Sequence, residues 1–138
     1  MNGPLMTDLP TASGSFGDKP TLTFPDSPAP AELAIQVLSP GDGPLVEAGQ
    51  TIEVNYYGEV WGGSMFDNSY DRGSSIEFPI GVGTVIAGWD NSLVGQPIGS
   101  RVLVAIPPHE GYGPRGVPQA GIGGDDTLVF VVDILNAR

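Results

Sequence analysis

Only one stretch of this chain repeats a helical period. In GTVIAGWDNSLVG, residues 83–95, Ile86, Trp89 and Leu93 fall at the three-and-four spacing of one helix face, and Gly95 suits the left-handed turn that ends a helix. A helix this short is marginal in water, so its apolar face and its indole require a larger partner. The rest of the sequence has the pattern of a sheet that buries it.

In Thr51-Ile52-Glu53-Val54-Asn55-Tyr56 the residues Ile52, Val54 and Tyr56 alternate with polar neighbours, which predicts a half-buried strand. Gly62-Gly63 predicts a turn into Met65-Phe66-Asp67, and Ser75-Ile76-Glu77-Phe78 repeats the alternation. Residues 34–38 read as extended, ahead of the turn cluster Ser39-Pro40-Gly41-Asp42-Gly43-Pro44. Residues 101–106 and 127–135 are apolar at both parities, as in strands covered on both faces. Strands, one short helix, then strands imply an α+β fold. Parallel winding would need crossover helices that this sequence lacks. The 21 glycines and 14 prolines, with only 15% charged residues, fit many turns rather than a bundle. The long glycine- and proline-rich segment 107–126 reads as a loop of functional length.

A chain of 138 residues fits one domain. Residues 1–32 hold six prolines and little apolar periodicity, which predicts an extended, weakly ordered arm ahead of a folded domain over 33–138. Within the arm, Leu22 and Phe24 alternate with threonines and predict a short edge strand, limited by Pro20 and Pro25. Met6 offers a second start for the chain.

A formal charge of −11 repels phosphate backbones and anionic lipid, so nucleic acid and membrane are not expected as partners. No segment approaches the apolar length of a bilayer span, and no basic start precedes an apolar run, which predicts a cytoplasmic protein. Without cysteine there is neither thiol catalysis nor a thiolate metal site.

The single histidine, His109, reads as a loop surface residue, and one imidazole makes no relay or metal cluster. The glycine-rich segments Gly81-Val82-Gly83 and Gly121-Ile122-Gly123-Gly124 lack the lysine or the glycine spacing of phosphate loops. Gly123-Gly124-Asp125-Asp126 lacks the ordered oxygens of a calcium loop and reads as a turn into the last strand. Neither a metal nor a cofactor is expected. What remains is a set of aromatics on separate elements: Tyr56, Phe66, Trp89, Tyr112 and Phe130. Composition and periodicity allow either core packing or a lined pocket.

Five motifs in order carry a resemblance: Val54-Asn55-Tyr56-Tyr57-Gly58, Phe66-Asp67-Asn68-Ser69 with Asp71-Arg72, Val85-Ile86-Ala87-Gly88-Trp89, Gly111-Tyr112-Gly113, and Thr127-Leu128-Val129-Phe130. Across residues 35–135 the chain resembles the FKBP-type peptidyl-prolyl cis-trans isomerases. The resemblance implies a strongly twisted antiparallel sheet wrapped around one short helix. It also implies a pocket with Trp89 as floor and Tyr56, Phe66, Val85, Ile86, Tyr112 and Phe130 as walls. In that reading Tyr56, Asp67 and Tyr112 act on the substrate, the Ile86 N–H holds a carbonyl, and Arg72 orients Asp67 or Tyr56. Ile76 stands where the family often has an aromatic, Val117 where a histidine is common, and Ile122 lines the pocket ahead of Gly123-Gly124. The implied partners are proline-containing polypeptides and macrolide inhibitors of the tacrolimus or rapamycin type, with the protein acting as a monomer. A peptide-binding chaperone module with the same fold and little turnover is the alternative, and a structural or calcium-dependent β-domain is the other.

Overall fold

The computed structural model describes residues 8–138. The second start proposed at Met6 lies outside them. The chain forms β1 (Thr11–Ala12), β2 (Leu22–Thr23), β3 (Ala34–Ser39), β4 (Thr51–Val60), β5 (Met65–Asn68), β6 (Ile76–Pro79), α1 (Ala87–Leu93), β7 (Arg101–Ile106) and β8 (Leu128–Ala137). Three short 3-10 turns punctuate the segment between β7 and β8.

The fold is α+β. One antiparallel sheet runs β3-β7-β8-β4, and β4 pairs along its remaining edge with β6 over Thr51–Val54 and with β5 over Tyr57–Glu59. The chain therefore leaves the sheet between β5 and β6. Ser69 bridges the break: its Oγ accepts the Tyr56 N–H at 2.9 Å and its own N–H donates to the Tyr56 carbonyl. This detour carries residues 70–75, including Arg72, off the sheet edge beside the middle of β4.

Strand alternation sorts the side chains onto two faces. Ile52, Val54, Tyr56 and Val60 of β4, Val102, Val104 and Ile106 of β7, and Leu128, Phe130, Val132 and Ile134 of β8 pack toward α1. From α1, Trp89 and Leu93 enter that core as the helical spacing predicts, while Ile86 precedes the first turn. Gly88 permits the close approach: a Cβ there would lie 2.6 Å from the Ile106 side chain. At the far end, the Gly95 N–H donates to Val46 O with the glycine at φ +92°, so the left-handed turn is where the sequence indicates.

The opposite parity explains why β7 and β8 are apolar on both faces. Tyr57, Leu103, Ala105, Val129 and Val131 form a second core with Leu22, and Leu9, Ala12, Phe24 and Trp61 pack around it. Residues 8–25, within the segment read as an extended, weakly ordered arm, run along this outer face. Leu22 and Thr23 pair with Thr11–Ala12 rather than extending the main sheet, because the flanking prolines restrict them to a two-residue ribbon. Phe24 meets Trp61 edge-on with centroids 5.3 Å apart.

One ion pair is buried under the arm. Arg101 and Asp133 are cross-strand partners whose side chains are 2% and 0% exposed, with Nε 3.4 Å from Oδ1. Arg101 donates through Nη1 to Ser15 O and through Nη2 to Asp18 O at 2.7 Å, and Asp133 Oδ2 accepts from the Gly17 N–H at 2.7 Å. Buried charges depend on partners for their polar atoms: backbone groups of the arm engage Arg101 Nη1 and Nη2 and Asp133 Oδ2, while Nε and Oδ1 make no hydrogen bond and face each other as an ion pair.

Candidate active site

Between α1, the loop entering it and one end of β4, β5 and β8 lies a cavity of about 310 Å³. The elements dictate its lining. Tyr56 and Phe130 occupy inward parity on β4 and β8, Phe66 projects from β5, and Trp89 sits in the first turn of α1. The Trp89 ring lies at the centre of a cluster, with centroid distances of 5.1 Å to Phe130, 5.3 Å to Phe78 and 5.5 Å to Tyr56. Phe66 stands perpendicular to Phe130 at 5.5 Å. Edge-to-face pairs of this kind contribute about 0.5–1.5 kcal/mol each beyond area burial, so the walls are held by one another. Ile76, Val85 and Ile86 complete the apolar surface, and Tyr112, 44% exposed, closes the rim from the long loop.

One side of the cavity is polar. The Tyr56 hydroxyl donates to Asp67 Oδ2 and accepts from Arg72 Nη2 at 2.8 Å, while Arg72 Nη1 donates to Asp67 Oδ1 at 2.7 Å. The guanidinium also lies over the Tyr56 ring, 5.6 Å from its centroid. An exposed ion pair contributes only about 0.2–1 kcal/mol, so the geometric consequence outweighs the energetic one: the three groups fix each other's orientation. Burial pushes the Asp67 carboxyl upward, but the Tyr56 hydroxyl and Arg72 outweigh it and hold the group below its ordinary value. Burial, followed by the hydrogen bond to Asp67, raises the Tyr56 phenol. Burial and then the Asp67 charge raise Tyr112.

The structure thus brings Tyr56, Phe66, Asp67, Ile76, Val85, Ile86, Trp89, Tyr112 and Phe130 around one cavity. Arg72 lies behind the wall and touches it through Asp67 and Tyr56. Ile122 is not among the side chains around this cavity; it is buried in the same core cluster as Tyr56, Trp89 and Phe130, and its backbone bridges to Val117 within the long loop. The Ile86 N–H precedes the first helical turn and so has no acceptor within the helix. His109 lies outside the cavity on an exposed turn, 3.7 Å from Glu32. Gly123 and Asp126 form a turn into β8 through a 2.6 Å bond from the Gly123 N–H to Asp126 Oδ2. Among the described residues no three His, Asp or Glu side chains converge as metal ligands.

Two residues escaped the sequence reading. Thr84 lines the cavity, and Asp90 accepts the N–H groups of Gly81 and Gly83 at 2.7 and 2.9 Å, pinning the loop that delivers Val85 and Ile86. The residue order offered a hint, since an acidic side chain in the first helical turn faces the loop before it.

Gly58 is needed for the aromatic walls. A Cβ there would lie 2.7 Å from Phe66 Cζ and 2.8 Å from Phe130 Cε1. Gly58→Ala is expected to tilt both rings and lower kcat/KM, while overpacking costs about 1–3 kcal/mol of stability in urea unfolding. Unchanged kcat/KM with the fold intact would show that neither ring's angle matters to the site.

The geometry can be set beside known proteins. A profile described as FKBP-type peptidyl-prolyl cis-trans isomerase matches residues 43–135. The chain is 42% identical over 119 residues to an FK506-binding protein of Streptomyces anulatus, covering 86% of this chain and 96% of that one. It is 41% identical over 111 residues to FK506-binding protein 1 of Debaryomyces hansenii, covering 80% and 98% of the two chains. The crystal structure of AtFKBP13 superposes with a TM-score of 0.70 at 35% identity, over 80% of this chain and 96% of that one.

Proposed function

The chain belongs to the FKBP-type peptidyl-prolyl cis-trans isomerases, and from that premise we propose that its aromatic cavity binds the twisted X–Pro amide in preference to either planar form. Rotation about this bond is opposed by loss of amide resonance, a barrier of about 18–20 kcal/mol. No covalent bond is broken, so neither a nucleophile nor proton transfer is required. Each tenfold acceleration asks for about 1.4 kcal/mol of binding that favours the transition state over the ground state.

The single observation that carries this reading is an apolar floor and walls beside one oriented polar cluster. The proline ring rests on Trp89 between Phe66, Val85 and Phe130. The Ile86 N–H takes a substrate carbonyl, and Tyr56, Asp67 and Tyr112 meet the rotating amide, whose carbonyl oxygen loses its conjugated charge in the twisted state. A dry cavity disfavours the dipolar planar amide that it replaces. Arg72 keeps Tyr56 and Asp67 aligned.

The cavity proposed for this activity lies wholly within residues 33–138, the segment read as the folded domain. Its substrates are proline-containing polypeptides, and the names of the relatives support macrolides of the tacrolimus or rapamycin type as occupants of the same cavity. We place the protein in the cytoplasm as a monomer; the monomeric reading is supported by the arm's cover over the outer face of β7 and β8. No helix among the described residues is long and apolar enough to cross a membrane. The test is a protease-coupled assay on proline tetrapeptides with and without macrolide. Turnover abolished by equimolar macrolide is expected; peptide binding without turnover would favour the chaperone-module reading.

The mechanism also fixes a pH profile. Asp67 is held below the ordinary carboxylate value of about 3.9, and Tyr56 and Tyr112 are raised above the phenol value of about 10, so all three titrate away from neutrality. Activity is expected to be flat from about pH 5 to about pH 9 and unchanged in His109→Gln. A bell-shaped profile that vanishes with His109 would replace this mechanism with acid–base catalysis. Because Asp67 is depressed in the folded state, its contribution to stability is present above about pH 3.9 and is lost as the pH falls through its folded value.

A further inference from the structure

The loop that presents Arg72 is anchored on the side of the sheet away from the cavity. Tyr70 OH donates to Asp133 Oδ2 at 2.6 Å, and that oxygen also accepts the Gly17 N–H. Lys19 Nζ meets Asp71 Oδ1 at 2.8 Å. Asp71 is further locked to Asn68, whose side chain donates to Asp71 Oδ2 and accepts the Asp71 N–H. The two residues immediately before Arg72 are thus tied, one through Asp133 and one directly, to a single turn of the arm. That same turn supplies Ser15 O and Asp18 O to the buried Arg101.

We propose that the arm turn at residues 15–19 is a clasp that holds Arg72 in register with Tyr56 and Asp67, making Tyr70, Asp71 and Lys19 positioning residues for isomerisation. The inference rests on the role given to Arg72 above. Its physical basis is that Arg72 is exposed and its ion pair with Asp67 contributes little energy, so the alignment of the three groups also depends on where the backbone starts the Arg72 side chain. With residues 70 and 71 fixed, the side chain begins from a defined point. Released, the loop samples positions from which Arg72 spans Tyr56 and Asp67 only part of the time.

The test uses the full chain with Tyr70→Phe and Lys19→Met together, which cut both ties without touching Tyr56, Asp67 or Arg72. Circular dichroism and melting above the assay temperature establish that the variant is folded, and Tyr70→Phe alone serves if the pair is not. A fall in kcat/KM of roughly two- to thirtyfold is expected, the range for contacts acting through another group. Arg72→Ala should lower kcat/KM in the unmodified chain but add little in the double variant. The Arg72 Nη–H groups, which donate to Asp67 and Tyr56, should exchange slowly in the unmodified chain and lose that protection when the ties are cut. A folded double variant with unchanged kcat/KM, or losses that multiply fully with Arg72→Ala, would overturn the clasp. If Arg72→Ala alone leaves activity unchanged, the assigned role of Arg72 fails. The exchange of its Nη–H groups then decides separately whether the clasp holds the side chain.

Discussion

Trp89→Ala is expected to destabilise the protein by about 3–5 kcal/mol and to remove most of its isomerase activity. The indole is 6% exposed and packs against Phe78, Phe130 and Tyr56 within 5.5 Å, so truncation opens a void under three rings at once. The same void removes the proposed floor for proline. Trp89→Phe separates the two effects. The indole N–H has no hydrogen-bond partner in the structure, so phenylalanine forfeits no hydrogen bond and keeps part of the apolar contact. Urea unfolding should therefore show a smaller loss than in the alanine variant, while kcat/KM still falls because the floor is narrower. If Trp89→Ala leaves melting and turnover unchanged, the residue is neither core nor floor.

A comparable loss of stability is expected at the opposite face of the sheet, at the buried Arg101–Asp133 pair. Arg101→Met keeps an unbranched side chain but leaves the Asp133 carboxylate without its cation and the Ser15 and Asp18 carbonyls without their donor. Breaking one partner of a buried pair typically costs about 3–5 kcal/mol, because a desolvated charge is left uncompensated. Arg101→Met combined with Asp133→Leu should recover much of that loss, since the buried charge goes with its partner. The comparison is made by urea unfolding, with m-values checked for a constant change in exposed surface. A cost of Arg101→Met below about 1 kcal/mol would mean that water reaches the pair and that the arm does not seal it.

The two variants probe the parts of the molecule that the sequence conveys unequally. Periodicity is local and survives in one dimension: Ile52, Val54 and Tyr56 alternate because a strand has period two, and Trp89 and Leu93 recur because a helix turns every 3.6 residues. Those spacings determine element type and inward face, and with them which aromatics can reach the helix side of the sheet. The ordered motifs added the family, and hence the fold.

Which elements meet was decided only in three dimensions. Ile122 bridges to Val117 within the long loop and packs in the core cluster with Trp89 and Phe130, a meeting that no periodicity encodes. Asp90 joins the site through backbone N–H groups seven and nine residues earlier, and backbone groups leave no mark on composition. The arm is the largest instance. Its prolines and small polar residues offer little apolar surface to bury, so by itself it reads as weakly ordered. Its course instead rests on Leu22 entering a face already built by β7 and β8, and on carbonyls of Ser15 and Asp18 that any residue would supply. Local spacing encodes what a segment can become. The partner that makes it worth ordering is a property of the assembled sheet, where a buried guanidinium needs acceptors that only a chain folded across it can bring.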